Sequence, residues 1–226
     1  MPELPEIEAL VQRLAPRLVG QPVVRLEIHR PLVLRSLLPE ADFETAIIGR
    51  CVTALERRGK YFLIGLDGLW LATNFMLTGN LTWPGPGDRV RTRDYYTLGF
   101  GEHLAMRYHD PRGMGKTYLV RELASIPGFS AMAPDPLSEG YTREVFLQQL
   151  KGQTGEIKGV LTRDRIASGI GNAYADEILF AAGIYPFVKS SRLTAEQRDR
   201  LYEALRAVLA SRIAYLLQYW PPAMNL

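Results

Sequence analysis

At 226 residues the chain exceeds the roughly 100 to 150 residues of a common single domain, so one or two domains are expected. An apolar fraction of 47% with 23% charged residues excludes bulk disorder, and no run of about 18 apolar residues calls for a membrane span. The net charge of +3 suits a polyanionic partner such as nucleic acid without requiring one. The opening MPELPEIEAL is acidic and lacks the basic start and apolar stretch of a signal peptide, so a cytoplasmic or nucleoid location is the default expectation. Cys51 is the sole cysteine, which excludes a disulfide framework and a cysteine-based zinc site. Within GRCVTALE it reads as an inert thiol buried in a strand.

Along the chain, the first helix comes from Ile7, Leu10, Val11, Leu14 and Leu18, which recur at helical spacing and build one apolar face. Pro5 suits its first turn, and Glu3, Glu6 and Glu8 place acid near the positive end of the dipole. Pro16 is expected to kink or end it near Ala15, leaving Leu18 just outside. After Gly20 come short runs rich in β-branched and aromatic residues: VVRLEIHR, AIIGRCVTAL, KYFLIGL, GLWLATNF, YYTLGF, HLAMRYH and KTYLV. Turn signals such as Asp67-Gly68, Gly79-Asn80 and Gly101-Glu102 punctuate them, and seven or so strands at this spacing suggest a β-sandwich or barrel.

Residues 126–140, IPGFSAMAPDPLSEG, hold prolines and glycines without periodicity and read as a connection, with the linker itself placed at 131–140 between domains 1–130 and 141–226. Beyond it the pattern is helical. Thr142 can cap a helix carrying Phe146, Leu147 and Leu150; EIKGVLTRD makes a second, and NAYADEILFAAG a third ending at Gly183. A long last helix starts with a Thr194–Gln197 capping box and is expected to stop at Pro221-Pro222. The predicted class is α+β: an N-terminal β-sandwich with a leading helix, then a helical domain.

Several residues carry chemical meaning. Once Met1 is removed, Pro2 presents a secondary amine; an α-amino group titrates near 7.7 to 8, well below lysine, and the positive end of the following helix lowers it further. Such an amine attacking a sugar C1′ forms an iminium ion, which acidifies the neighbouring hydrogens and promotes strand cleavage by elimination. Glu3 or Glu6 can shuttle protons. The same stretch also suits a plain helix start. Lys60 lies between Gly59 and an apolar strand, where a cation can meet a phosphate, or simply solvent. Gly169-Ile170-Gly171-Asn172 precedes a helix, so Asn172 can cap it while the free N–H groups bind phosphate.

MPELPEIEAL resembles the opening of the formamidopyrimidine-DNA glycosylase and endonuclease VIII family, and three further segments agree in order. ERRGKYFLIGL is similar to the stretch holding the family's β-hairpin lysine, at Lys60. YHDPRGMGKTYL is similar to the DPRRFG segment of the formamidopyrimidine branch, and ASGIGNAYADEILFAAGI to the helix–two-turn–helix motif. The resemblance implies Pro2 as nucleophile, Glu3 as proton donor or shuttle, Glu6 in support, and Lys60, Asn172 and Gly171 at the DNA phosphates. It also implies void-filling residues for the space an extruded base leaves: Arg112, with Met114 at the aromatic position and Leu77, in TNFMLTG, at the intercalating methionine. Gly113 and Asn74 replace polar family residues, which alters contacts to DNA, and Lys158 matches a lysine close to the backbone. The family's four-cysteine zinc finger has no cysteines here, so no cofactor is expected and binding is expected to be weaker and more salt-sensitive.

The function these residues point to is base-excision repair: a monomeric DNA glycosylase and AP lyase acting on duplex DNA with oxidised bases, purines ahead of pyrimidines, or with abasic sites. β-Elimination cuts the strand, with δ-elimination as a further step. Two rivals remain at this stage, an AP lyase without useful glycosylase activity and a noncatalytic damage-binding protein.

Overall fold

The structure, a computed structural model, describes residues 1–38, 42–85, 87–102 and 104–219. Its first half runs α1 (Leu4–Leu18), β1 (Val23–Ile28), β2 (Leu34–Ser36), α2 (Phe43–Ile47), β3 (Val52–Arg58), β4 (Tyr61–Leu66) and β5 (Leu69–Asn74). β6 (Asn80–Thr82), β7 (Asp94–Phe100), β8 (Leu104–His109) and β9 (Lys116–Val120) follow. The remainder is helical: α3 (Arg143–Leu150), α4 (Ile157–Leu161), α5 (Asn172–Ala182) and α6 (Ala195–Tyr219). The fold is therefore the α+β arrangement expected, and no described helix is long and apolar enough to cross a membrane.

Two sheets pack as a sandwich, one of order β1-β7-β8-β6 and one of order β2-β9-β5-β4-β3, antiparallel throughout except for β2 beside β9. Asp67-Gly68 turns β4 into β5, with both residues at positive φ and Leu66 paired to Leu69, as a two-residue hairpin requires. The core between the sheets joins Leu26, Phe62, Ile64, Leu71, Tyr96, Leu98 and Met106. Ile7, Leu10, Leu14 and Leu18 of α1 complete it. The far face of β4 and β5 is buried as well, because Ile126 joins Leu63, Ala72 and Tyr118, and Phe129 meets Tyr61 edge-on at 5.4 Å. That explains why β4 reads as an unbroken apolar run rather than an alternating one.

Three local expectations need correction. Pro16 does not end α1 at Ala15: the helix runs to Leu18, because near the C-terminus a missing N–H costs one bond, and the fully buried Leu18 anchors the last turn. The run AIIGRCVTAL is not one strand. Its first residues close α2 and turn at Ile48-Gly49 before β3 starts at Val52. Cys51 is consequently exposed rather than buried; its backbone N–H donates to Asp67 Oδ2 at 2.7 Å. β2 and β6, three residues each, are too short to leave a periodic signal. The expected stop of the last helix at Pro221-Pro222 lies outside the described residues.

The helical half holds a second core from Tyr141 through Phe146, Ile157, Ile178, Leu205 and Leu209. Thr142 caps α3, and Thr194 and Gln197 exchange the expected hydrogen bonds before α6. Leu4, at the start of α1, belongs to this second core, while Ile7, Leu10, Val11, Leu14 and Leu18 face the sandwich. One helix thus serves both halves, and it carries the N-terminus to their junction.

Candidate active site and nucleic-acid interface

Glu3 is the N-cap residue of α1, and its backbone N–H donates to Glu6 Oε2 at 3.1 Å. Its carboxylate is only 3% exposed. Oε2 accepts the Gly171 N–H at 2.6 Å and Oε1 the Ala173 N–H at 3.3 Å, both at the start of α5. Two helix N-termini therefore direct partial positive charge at one carboxylate. This overturns the expectation that Asn172 caps α5. Gly171 is the N-cap residue, and Glu3 takes the free amides, leaving the Asn172 side chain exposed in the first helical turn. Gly171 leaves no room for a side chain, since an added Cβ would stand 2.2 Å from Glu3 Oε1.

Glu6 accepts a hydrogen bond at Oε1 from the Tyr174 hydroxyl. Burial pushes the Tyr174 hydroxyl pKa up, and the Glu6 hydrogen bond and charge add to this against the opposing Arg212. Met1, Glu3, Glu6, Tyr174, Arg212 and Tyr215 line a cleft of about 810 Å³, with partly buried Pro2 between two of its lining residues. Tyr174, Arg212 and Tyr215 escape a sequence reading. Tyr174 lies inside the recognised motif but pairs with a residue 168 positions away, and Arg212 and Tyr215 sit on a long helix whose exposed side carries no signal of its own.

Lys60 occupies the tip of the β3–β4 hairpin, a two-residue turn closed by the Arg58–Tyr61 pair with Gly59 at φ +57°. The tip abuts the 168–171 turn of the helical half. A Cβ at Gly169 would meet Leu4 Cβ at 2.9 Å and Gly59 O at 3.0 Å, and Gly169 itself lies at φ +90°, so only glycine fits. Leu4 N–H donates to Gly169 O at 3.0 Å, and Arg58 reaches Ser168 Oγ at 3.4 Å. Arg57 fastens the same junction from beneath: its side chain is 3% exposed, with Nε 2.8 Å from Glu8 Oε2 and Nη2 2.6 Å from Asp135 Oδ2. Lys60 is half-buried and has no hydrogen-bond or ion-pair partner among the described residues. The N-terminus, the hairpin tip and the start of α5 thus meet at one place.

Leu77, Arg112 and Met114 stand on a separate pair of loops, 75–79 and 110–115. Leu77 and Met114 are each 42% exposed and Arg112 is exposed. Asp110 ties the loops together. It is fully buried and accepts from the Thr78 hydroxyl, from Arg112 N–H at 3.1 Å and from Gly115 N–H at 2.8 Å. Burial works against its charge, but the hydrogen bonds from Thr78, Gly115, Arg112 and Gly113 outweigh it and hold the carboxyl below its ordinary value. Asn74 caps its own turn by accepting Met76 N–H at 3.0 Å. Lys158 lies outside the residues lining the cleft, its Nζ 2.8 Å from Asp176 on α5.

Among the described residues no group of three or more His, Cys, Asp or Glu side chains is placed to hold a metal ion. The one cysteine of the sequence, Cys51, is exposed.

Comparison with known proteins identifies the family of both halves. A family described as formamidopyrimidine-DNA glycosylase N-terminal domain matches residues 1–117, and the formamidopyrimidine-DNA glycosylase H2TH domain matches residues 132–216. The formamidopyrimidine-DNA glycosylase of Moorella thermoacetica is 36% identical over 217 residues, covering 95% of this chain and 79% of that protein. That of Thermus thermophilus is 37% identical over 218 residues, covering 94% and 76%. Among solved structures, the MutM (Fpg) protein from Thermus thermophilus superposes with a TM-score of 0.82 at 33% identity, covering 94% of this chain and 76% of that one. Lactococcus lactis Fpg in complex with DNA containing an abasic site gives 0.86 at 25% identity, covering 94% and 80%. With both halves matched and relatives above 30% identity spanning nearly its whole length, the chain belongs to the formamidopyrimidine-DNA glycosylase family.

Proposed function

We propose that the chain excises oxidised bases, oxidised and ring-opened purines foremost, from duplex DNA and cleaves the strand at the resulting abasic site. The observation that carries this reading is the Glu3 carboxylate: buried beside Pro2, held by two α5 amides, and lining the cleft at the N-terminus. With Met1 removed, the Pro2 nitrogen attacks C1′ of the damaged nucleotide. The bond from C1′ to the base breaks, the base leaves with a proton relayed by Glu3, and the sugar ring opens to an iminium ion on Pro2. Loss of a C2′ proton then expels the 3′ phosphate by β-elimination, and water releases the enzyme. Glu6, anchored by Tyr174, fixes the Glu3 backbone.

Lys60 and Asn172 hold the phosphates flanking the target, and Leu77, Arg112 and Met114 fill the space the extruded base leaves in the duplex. The chemistry calls on no cofactor. Relatives named formamidopyrimidine-DNA glycosylase, and a Lactococcus lactis Fpg variant in complex with Fapy-dG containing DNA, support the substrate class. The place of action that fits this substrate is the nucleoid, with the protein working as a monomer.

The test is borohydride trapping on a duplex with one abasic site, beside Pro2→Gly. A covalent protein–DNA adduct in the wild type, lost in the variant, is expected. Binding without an adduct would refute the lyase chemistry.

A further inference from the structure

One wall of the N-terminal cleft takes no part in the chemistry above. Val208, Ser211, Arg212 and Tyr215 reach into it from successive turns of α6. The Arg212 guanidinium lies over the Tyr215 ring, 5.0 Å from its centroid, and also reaches the Tyr174 hydroxyl, which in turn donates to Glu6. Arg212, Tyr174 and Glu6 so form a line of contacts joining α6, α5 and α1. Among the described residues Arg212 has no carboxylate partner, although Glu3, Glu6 and Glu177 line the same cleft. A guanidinium carries five N–H donors, and Tyr174 satisfies few of them. Tyr215 is exposed, its ring lying against Arg212 on one side and, at 5.0 Å and 41°, against the Tyr219 ring.

We propose that Arg212 and Tyr215 read the extruded base, Tyr215 by apolar contact through the exposed part of its ring and Arg212 by donating N–H to a carbonyl oxygen on its edge. The assignment rests on the reading that this cleft takes the damaged nucleotide. Three observations favour a base here over a backbone phosphate. The other charged side chains in the wall are carboxylates, which repel phosphate but accept hydrogen bonds from the N–H groups of a base. Arg212 is the one cation among the lining side chains, and it supplies the donors a carbonyl needs. The cleft, at about 810 Å³, falls within the roughly 300 to 1,000 Å³ usual for small-molecule sites. The ligand class is a purine base, intact or ring-opened, that carries both carbonyl and N–H groups.

The experiment compares two duplexes of one sequence, the first with a single formamidopyrimidine lesion and the second with a single abasic site. Single-turnover base release and abasic cleavage are measured for the wild type, Arg212→Ala, Arg212→Lys, Tyr215→Ala and Tyr215→Phe. Arg212→Ala and Tyr215→Ala are each expected to lower the ratio of base release to abasic cleavage by about tenfold or more. Arg212→Lys recovers part of the loss through its remaining donors, and Tyr215→Phe most of it, because the aromatic ring is kept. Both positions are exposed on a helix, and unchanged melting temperatures check that the fold is intact. Equal loss on both duplexes, or no loss on either, overturns the assignment while leaving the Pro2 chemistry standing. A wild type that cleaves the abasic duplex yet releases no base overturns both the assignment and the glycosylase reading.

Discussion

Glu3 and Gly171 lie 168 positions apart in the chain and 2.6 Å apart in space, the backbone N–H of one donated into the carboxylate of the other. A methyl group at Gly171 must push that carboxylate away. Gly171→Ala is therefore expected to cost about 1 to 3 kcal/mol of stability in urea denaturation. Because displacement by about 1 Å can cost a catalytic group about 100-fold, abasic cleavage should fall much further than stability alone explains. Unchanged cleavage would show that the carboxylate has freedom to move.

Glu3→Gln separates charge from shape. The amide keeps one acceptor for the α5 amides but loses the carboxylate's proton-transfer capacity. Strand cleavage is expected to fall by about 100-fold or more, with affinity for abasic DNA largely retained. Parallel loss of binding and cleavage would assign Glu3 a structural part only.

Arg57 holds two carboxylates from different parts of the chain in a nearly dry place. Arg57→Ala leaves Glu8 and Asp135 without their cation, and a loss of about 3 to 5 kcal/mol is expected. Chemical denaturation measures it, and a change below about 1 kcal/mol would place the junction's strength in the Leu4 and Gly169 contacts instead.

Asp110 gives the loop pair a dependence on acid. Its folded carboxyl titrates below the ordinary value of 3.8, so its contribution is complete above that value and is lost as pH falls through the lower folded value. Wild-type stability should drop on acidification below about pH 4, and Asp110→Asn, which cannot gain that proton, should lower stability at neutral pH and flatten this part of the profile. Identical pH profiles for the two proteins would contradict the assignment.

Lys60→Ala should weaken binding to all duplexes alike and reduce the slope of log affinity against log salt by about 0.9, the share of one phosphate contact. An unchanged slope would mean that Lys60 faces solvent rather than the backbone.

Much of the architecture was legible because it is local. The α1 face, the Asp67-Gly68 hairpin, the Thr142 cap and the Thr194–Gln197 box each rest on residues within a turn or two of one another. Pro16 and Cys51 misled because burial of Leu18 and the turn before β3 are decided by distant packing. At the site, the motif residues were visible, but their partners were not. No local pattern tells that Glu3 rather than Asn172 satisfies the α5 amides, that Arg57 bridges Glu8 and Asp135, or that Asp110 binds Thr78. These pairings cross the chain, and only the fold brings them within reach.

The double allegiance of α1 also sets when the reactive centre can exist. During synthesis at roughly 5 to 20 residues per second, Gly171 follows Glu3 by roughly 8 to 34 s. Until then the growing polypeptide has a proline amine at its tip but no α5 to grip the neighbouring acid and no α6 to wall the cleft. The reactive centre is thus completed only when the helical half has followed the N-terminus out.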